Sequence, residues 1–364
     1  MVSPSSDNEA GHFMHQEAGM DASTVPVRRW PAISRAAVVA ISVLLLAVSS
    51  SGAGESVIAS DFHPASVGLA PSGASRVVAP NVGSVAKPIA AGSGTGQRLP
   101  GGVITDVAFV RPQGCSAADC SVLLDIYVPA GSGPFPTVVL VGGGPTGAGG
   151  RGYLDPFARE LAESGLIVFN ADMRDMASKG GGYPQAFDDV ACAVRFARTW
   201  AFAYGGDGSS VTLVGHSLGG FVGSVVALDS EQFTGDCLAD GSSRPDAFVG
   251  LSGNYNLSDP KVANDLEVFF SGSPDETAEA RAASDPFNYA TGSSIPVDLV
   301  AGTADQTVNP AAAVALNAFL SDRQWKVTLT LIPGATHNSI IVPSGAGPQS
   351  LAVVLRATQS AGPS

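Results

Sequence analysis

The residues best suited to chemistry lie in VTLVGHSLGGFVGSVVAL, where Gly215-His216-Ser217-Leu218-Gly219 forms a G-x-S-x-G pattern between a strand-like run and an apolar helical run. In a chain with 44 glycines the five-residue pattern means little alone, and the strand before it and the helix after it give it weight. Small residues permit a tight strand-to-helix turn that lifts Ser217 above a sheet. A serine hydroxyl attacks poorly unless a base takes its proton. After residue 101 the histidines are His216 and His337. His216 is adjacent to Ser217 within the turn, which suits packing or substrate contact. His337, in LIPGATHNSI, follows the last strand in a Gly-containing loop and is the expected base. That base needs a carboxylate to fix its tautomer and stabilise the imidazolium. Asp305 in AGTADQTVNP follows the preceding strand and completes the order Ser, Asp, His, whereas Asp298 sits at the start of that strand, on the opposite edge of the sheet. Such a set implies acyl transfer through a covalent intermediate.

Charge that develops on an attacked carbonyl requires donors already in place. The Leu218 amide is one. The second is expected from the glycine run Gly142 to Gly144, with Gly143 or Gly144 preferred, because missing side chains let backbone N–H groups approach a substrate. Asp172 and Arg174, after LIVFNA, are expected either to shape the pocket or to pair with each other. No G-x-x-x-x-G-K-[ST] or G-x-G-x-x-G follows a strand, and the chemistry expected of these residues needs no metal or organic cofactor.

These groups must be held by regular elements. From Val103 onward β-rich runs alternate with helical patterns. GVITDVAFV and SVLLDIYVP predict an antiparallel pair. TVVLVGGG, LIVFNAD, SVTLVGHS, DAFVGLSG, PVDLVAGTAD and KVTLTLIPG predict buried strands ending in loops. Between them YLDPFARELAES, AFDDVACAVRFARTWAF, LGGFVGSVVALDS, NPAAAVALNAFL and PQSLAVVLRATQ have helical spacing. The alternation predicts an α/β fold, a mostly parallel sheet with helices on both faces, over about 101–360. Every residue given a catalytic role above falls at a strand's carboxyl end, where open parallel sheets bind ligands.

The segments before this body read differently. Arg28, Arg29 and Arg35 precede the apolar run Ala36 to Val48 and then SSSGAG, the arrangement of a secretory signal. The run is shorter than the roughly 20 residues of a comfortable membrane span. Residues 1–53 are therefore expected to be a leader and signal peptide of an exported protein. A retained signal would leave 36–48 as an anchor or transient membrane contact on the outer face of the cytoplasmic membrane. Residues 54–100 read as a Gly/Ser/Pro-rich linker. His12, His15 and His63 stand in these segments without ligand-spaced neighbours. Cys115, Cys120, Cys192 and Cys237 all follow the presumed cleavage, and in an exported chain predict two disulfides. Cys115 with Cys120 would staple a hairpin, leaving Cys192 with Cys237, while a zinc site would be the other use of four cysteines. Lys+Arg 19 against Asp+Glu 32, a formal −13, offers no basic stripe for nucleic acid.

With these residues in view, the chain resembles α/β-hydrolases of the serine esterase and lipase kind, near the dienelactone-hydrolase-like and carboxylesterase-like branches. VGGGPTGAGG, YGGDGSSVTLVGHSLGG, GLSGNYNLSDP, SDPFNY, AGTADQTVNP and LIPGATHNS carry the likeness over nearly all of 101–360. The resemblance implies Ser217, Asp305 and His337 as the triad, Leu218 with the Gly142 to Gly144 run as oxyanion elements, and Asp207 as a structural aspartate before the nucleophile strand. Relatives with a triple glycine usually carry His before it; this chain has Val141. The implied reaction is hydrolysis of a small-molecule or polymeric ester, with Asn254 to Tyr289 at the pocket rim. Amide or peptide cleavage uses the same machinery, and a scaffold kept only for binding would be expected to lose a triad member. Related dehalogenases and epoxide hydrolases place Asp where this chain has Ser217.

Overall fold

The computed structural model of the chain describes residues 101–113, 121–144, 150–175, 180–229, 232–290 and 294–361. These all belong to one compact unit, Arg76–Ser364. The leader, the 36–48 run, the linker, the three histidines before residue 101 and the Cys115–Cys120 pairing lie outside the described residues.

Among the described residues eight strands form one sheet: β1 (Gly102–Val110), β2 (Val122–Val128), β3 (Phe135–Gly143), β4 (Ile167–Ala171), β5 (Gly206–Ser217), β6 (Ala247–Leu251), β7 (Val297–Gly302) and β8 (Val327–Ile332). Their spatial order is β1-β2-β4-β3-β5-β6-β7-β8. β1 pairs antiparallel with β2, and β2 antiparallel with β4; the remaining pairings are parallel. The sheet is therefore mixed but mostly parallel, as the alternating pattern predicts.

Both faces are covered, and the pleat shows it. Along β3, Val139 and Val141 join one core while Val138 and Leu140 join the other. The first core takes α2 (Gln185–Trp200), α3 (Leu218–Leu228) and α7 (Ala311–Asp322) through residues such as Phe187, Phe221 and Leu316. The second takes α1 (Arg151–Glu163) and α8 (Gly347–Ser360) through Phe157, Leu161 and Val354. The inner strands β3, β4, β6 and β7 are buried on both faces, which is why their sequences are near-continuous apolar runs, whereas β8, expected to be buried, stands at the sheet edge and is largely half-exposed, with Leu331 43% exposed. Three short helices without a clear sequence period lie between β6 and β7: α4 (Pro260–Asp265), α5 (Glu267–Phe270) and α6 (Ala278–Ala282). They occupy the stretch expected at the pocket rim. Phe269 of α5 packs edge-on against Phe221 of α3, ring centroids 6.2 Å apart, and so anchors this stretch to the helix that follows Ser217.

Candidate active site

β5 ends at Ser217 and α3 begins at Leu218 with no residue between them. Ser217 has φ 57° and ψ −122°, an unusual backbone conformation for a residue with a side chain. Two glycines make the turn feasible. A Cβ on Gly219 would lie 2.5 Å from the Val141 carbonyl oxygen, and one on Gly220 would lie 2.9 Å from the Cα of Gly253. The backbone of the turn thus fits against β3 and the end of β6 only where side chains are missing.

Two loops at the carboxyl edge bring the other side chains to Ser217. His337, after β8, accepts the Ser217 hydroxyl at Nε2 (2.9 Å) and donates from Nδ1 to Asp305 Oδ2 (2.9 Å). Asp305, after β7, accepts through Oδ1 from the amides of Thr307 and Val308, each at 2.9 Å. Burial pushes the Asp305 carboxyl up, but the His337 hydrogen bond and these amides outweigh it and hold it below the usual carboxylate range. Asp305 and His337 are both buried, while Ser217 is partly open. Asp298, the carboxylate placed at the opposite edge, instead accepts from Arg356 at 2.7 Å.

The candidate donors sit at the level of Ser217. Register aligns Gly142 with His216 and Gly143 with Ser217 across β3 and β5, and Gly144 follows directly. The Met173 methyl approaches Gly143 so closely that a Cβ there would lie 2.8 Å from it. Leu218 opens α3, where the first amides have no intrahelical acceptor and the helix dipole is positive.

Asp172 and Arg174 take other partners rather than each other. Asp172 accepts the Arg151 amide at the start of α1 (2.8 Å) and approaches its guanidinium. Arg174 forms a two-pronged pair with Asp189 on α2, a fully buried carboxylate that also accepts the Arg174 amide. These contacts tie the loop after β4 to α1 and to α2, helices on opposite faces of the sheet. Asp207 lies at the start of β5, where its carboxylate accepts from the Ser209 amide (2.9 Å) and its carbonyl from Thr137 (2.6 Å).

His216 packs, as its place in the turn suggests, but it also makes a bond. Its Nε2 donates to the carbonyl oxygen of His337 at 3.0 Å. Burial, and secondarily His337, lower its pKa to about 3, so the ring is neutral. Tyr153 of α1 stands beside it, ring centroids 5.7 Å apart, with its hydroxyl donating to Asn338 Oδ1 at 2.6 Å. Tyr153 carries no sequence signal, being one aromatic in an ordinary amphipathic helix. Among the described residues no group of three or more His, Cys, Asp or Glu converges as metal ligands would. Cys192 and Cys237 form a disulfide, with Cα atoms 5.3 Å apart.

A mostly parallel sheet with a serine on the strand-to-helix turn, a histidine after the last strand and an aspartate after the one before defines the α/β-hydrolase fold with a serine-esterase arrangement of side chains. The BD-FAE family profile matches residues 124–320, more than half of the chain. The chain belongs to the BD-FAE family.

Relatives agree at the level of class. A probable isoprenylcysteine alpha-carbonyl methylesterase of Arabidopsis thaliana is 31% identical over 138 residues, covering 37% of this chain and 29% of its own length. The chain spans 29% to 55% of the lengths of the curated relatives it matches. Among solved structures, a bifunctional GH43-CE protein from Bacteroides eggerthii superposes with TM-score 0.60 at 20% identity, over 70% of this chain and 35% of that one. The propionate-bound esterase Est2 of Thermogutta terrifontis gives TM-score 0.57 at 18% identity, over 71% and 94%. At these identities the solved structures speak to the fold. The matches fall on the BD-FAE and carboxylesterase-like side and do not single out the dienelactone-hydrolase branch.

Proposed function

We propose that the protein is a serine carboxylic-ester hydrolase working in two acyl-transfer steps. One observation carries the reading: the unbroken relay from Ser217 Oγ through both nitrogens of His337 to Asp305, with 2.9 Å at each bond. Ser217 attacks the ester carbonyl as His337 accepts its proton at Nε2. His337 then returns that proton to the departing alcohol, which leaves an acyl group on Ser217. Water, deprotonated by His337, attacks the acyl carbonyl, and the acid departs as Ser217 regains its proton. Asp305 keeps the His337 proton on Nδ1 and stabilises the imidazolium. The Leu218 amide and that of Gly143 or Gly144 receive the negative oxygen of each tetrahedral intermediate.

The substrate class is a small-molecule or polymeric ester, and the methylesterase among its relatives supports a methyl ester within that class. Residues 101–360 form the hydrolase domain, with 1–53 the leader and signal and 54–100 the linker. Export agrees with the Cys192–Cys237 disulfide, a bond favoured in oxidising compartments.

Hydrolysis of p-nitrophenyl acetate and butyrate by the protein and by Ser217→Ala tests this. The variant should lose at least about 10³-fold in kcat, and an organophosphonate should label the protein at Ser217 but leave the variant unlabelled. Equal rates, or labelling at another residue, would overturn the reading.

A further inference from the structure

We propose that His216 and Tyr153 are positioning residues that clamp the base, one by its own carbonyl and the other by the residue after it. The inference rests on the reading of His337 as general base and adds what holds it in place.

His337 stands on an irregular loop. Ordering a loop costs backbone entropy at every residue, yet a base must be held to within a fraction of an ångström of its nucleophile. The bond from the Thr336 amide to Ser339 Oγ (2.7 Å) shapes the loop locally, but it lies within the loop and does not set the loop's distance from Ser217. From outside the loop, Thr303 Oγ1 accepts the Gly334 amide and the Ala335 carbonyl accepts the Ala304 amide (2.9 Å each), Asp305 holds the His337 ring, and two further bonds grip His337 and Asn338. His216, immediately before Ser217, donates from Nε2 to the His337 carbonyl (3.0 Å), with the two rings 4.8 Å apart and inclined by 45°. Tyr153, from α1, donates to Asn338 Oδ1 (2.6 Å) and packs its ring beside His216. Elbow, helix and loop therefore meet at consecutive residues, His337 and Asn338. Because the grip on His337 starts at the residue preceding the nucleophile, any shift of the turn carries base and serine together.

His216 is unsuited to being a second base. Its Nε2 hydrogen is committed to a carbonyl, its ring is buried, and the groups facing it are His337, Asp305 and Tyr153. Were it only a space-filler, an apolar residue of similar size would replace it without kinetic effect.

Steady-state kinetics on p-nitrophenyl butyrate across pH, with the full chain, separate these roles. His216→Leu removes the donor and should lower kcat by about tenfold or more, hold KM within about twofold, and displace the acid limb of kcat/KM. His216→Gln, whose amide reaches the same carbonyl, should recover most of that loss. Tyr153→Phe removes one hydroxyl from a half-exposed residue, and should lower kcat about threefold or more at unchanged KM. If His216→Leu does not fold, His216→Gln and Tyr153→Phe carry the test. Folded His216→Leu and Tyr153→Phe variants with native kcat and pH profile would overturn the clamp, as would a folded His216→Gln that retains little activity. Ser217→Ala and His337→Ala report separately: activity surviving in them overturns the esterase reading, whereas its loss there beside normal His216→Leu and Tyr153→Phe enzymes overturns the clamp alone.

Discussion

His216 links the site to stability as well as to geometry. Its pKa falls from 6.5 to about 3 on folding because the buried ring cannot take up charge. The unfolded chain therefore binds more protons than the folded one below about pH 6.5, so this residue's contribution is present above that pH and is lost as pH falls towards 3. The slope attributable to one such group reaches about 1.4 kcal/mol per pH unit. Unfolding midpoints in urea between pH 7 and pH 4 should fall more steeply for the native protein than for His216→Gln, and parallel curves would contradict neutral burial. Asp305 calls for a kinetic test instead. Asp305→Asn keeps the shape but cannot hold the Nδ1 proton, so kcat should drop roughly 10²–10⁴-fold while circular dichroism stays native.

At the scale of elements, the turn between β5 and α3 is the most constrained feature. Gly219→Ala would drive a methyl onto the Val141 carbonyl, backbone against backbone, and neither side can yield without moving β3 away from the turn. A loss of about 1–3 kcal/mol is expected, with activity falling further because Gly143 and Ser217 share that register. The stretch of α4 to α6 behaves oppositely. Arg281 on α6 is buried over the Phe270 ring at 4.5 Å, and Nε bonds to Thr277 (2.8 Å), while Nη1 and Nη2 have no hydrogen-bond partner among the described residues. A buried charge so poorly matched is a cost to folding, and burial lowers its pKa. Arg281→Met should leave Tm unchanged or raise it, read by thermal melting. These two regions also show what patterning could convey. The elbow is legible as a motif and the eight strands as short apolar β-rich runs, and the five long helices because 3.6-residue spacing persists for a dozen residues or so. Helices α4 to α6 span four to six residues each, too short for a period to emerge, so they are not. The partners of Asp172 and Arg174 are hidden for another reason: Arg151 and Asp189 reach them only through the folded chain. Tyr153 is hidden on the same ground, while Ser217, Asp305 and His337 are legible because each lies at or just past a strand end.

The molecule as a whole shows how the disulfide serves the fold. Cys192 lies on α2, buried in the core, and Cys237 lies on the excursion between α3 and β6. That excursion runs along the end of β1, with the Arg111 amide donating to the Asp236 carbonyl (3.1 Å) and the Leu238 amide to that of Phe109 (2.9 Å). β1 is an edge strand, and such edges invite pairing with other chains unless covered. The disulfide therefore fastens to α2 a segment that covers part of this edge, and it closes a loop of 45 residues. Chain-entropy arguments give such a closure up to about 4 kcal/mol. Replacing both cysteines by alanine should lower the urea midpoint accordingly and increase aggregation on heating. kcat at 25 °C should be unchanged, because the Ser217, His337 and Asp305 relay bonds to neither residue. Protein made under reducing conditions should match the double variant until it is oxidised. A fall in kcat in the folded double variant would show that α2 and the excursion also shape the site, whereas an unchanged urea midpoint would mean that the backbone bonds to β1 hold the segment without help from sulfur.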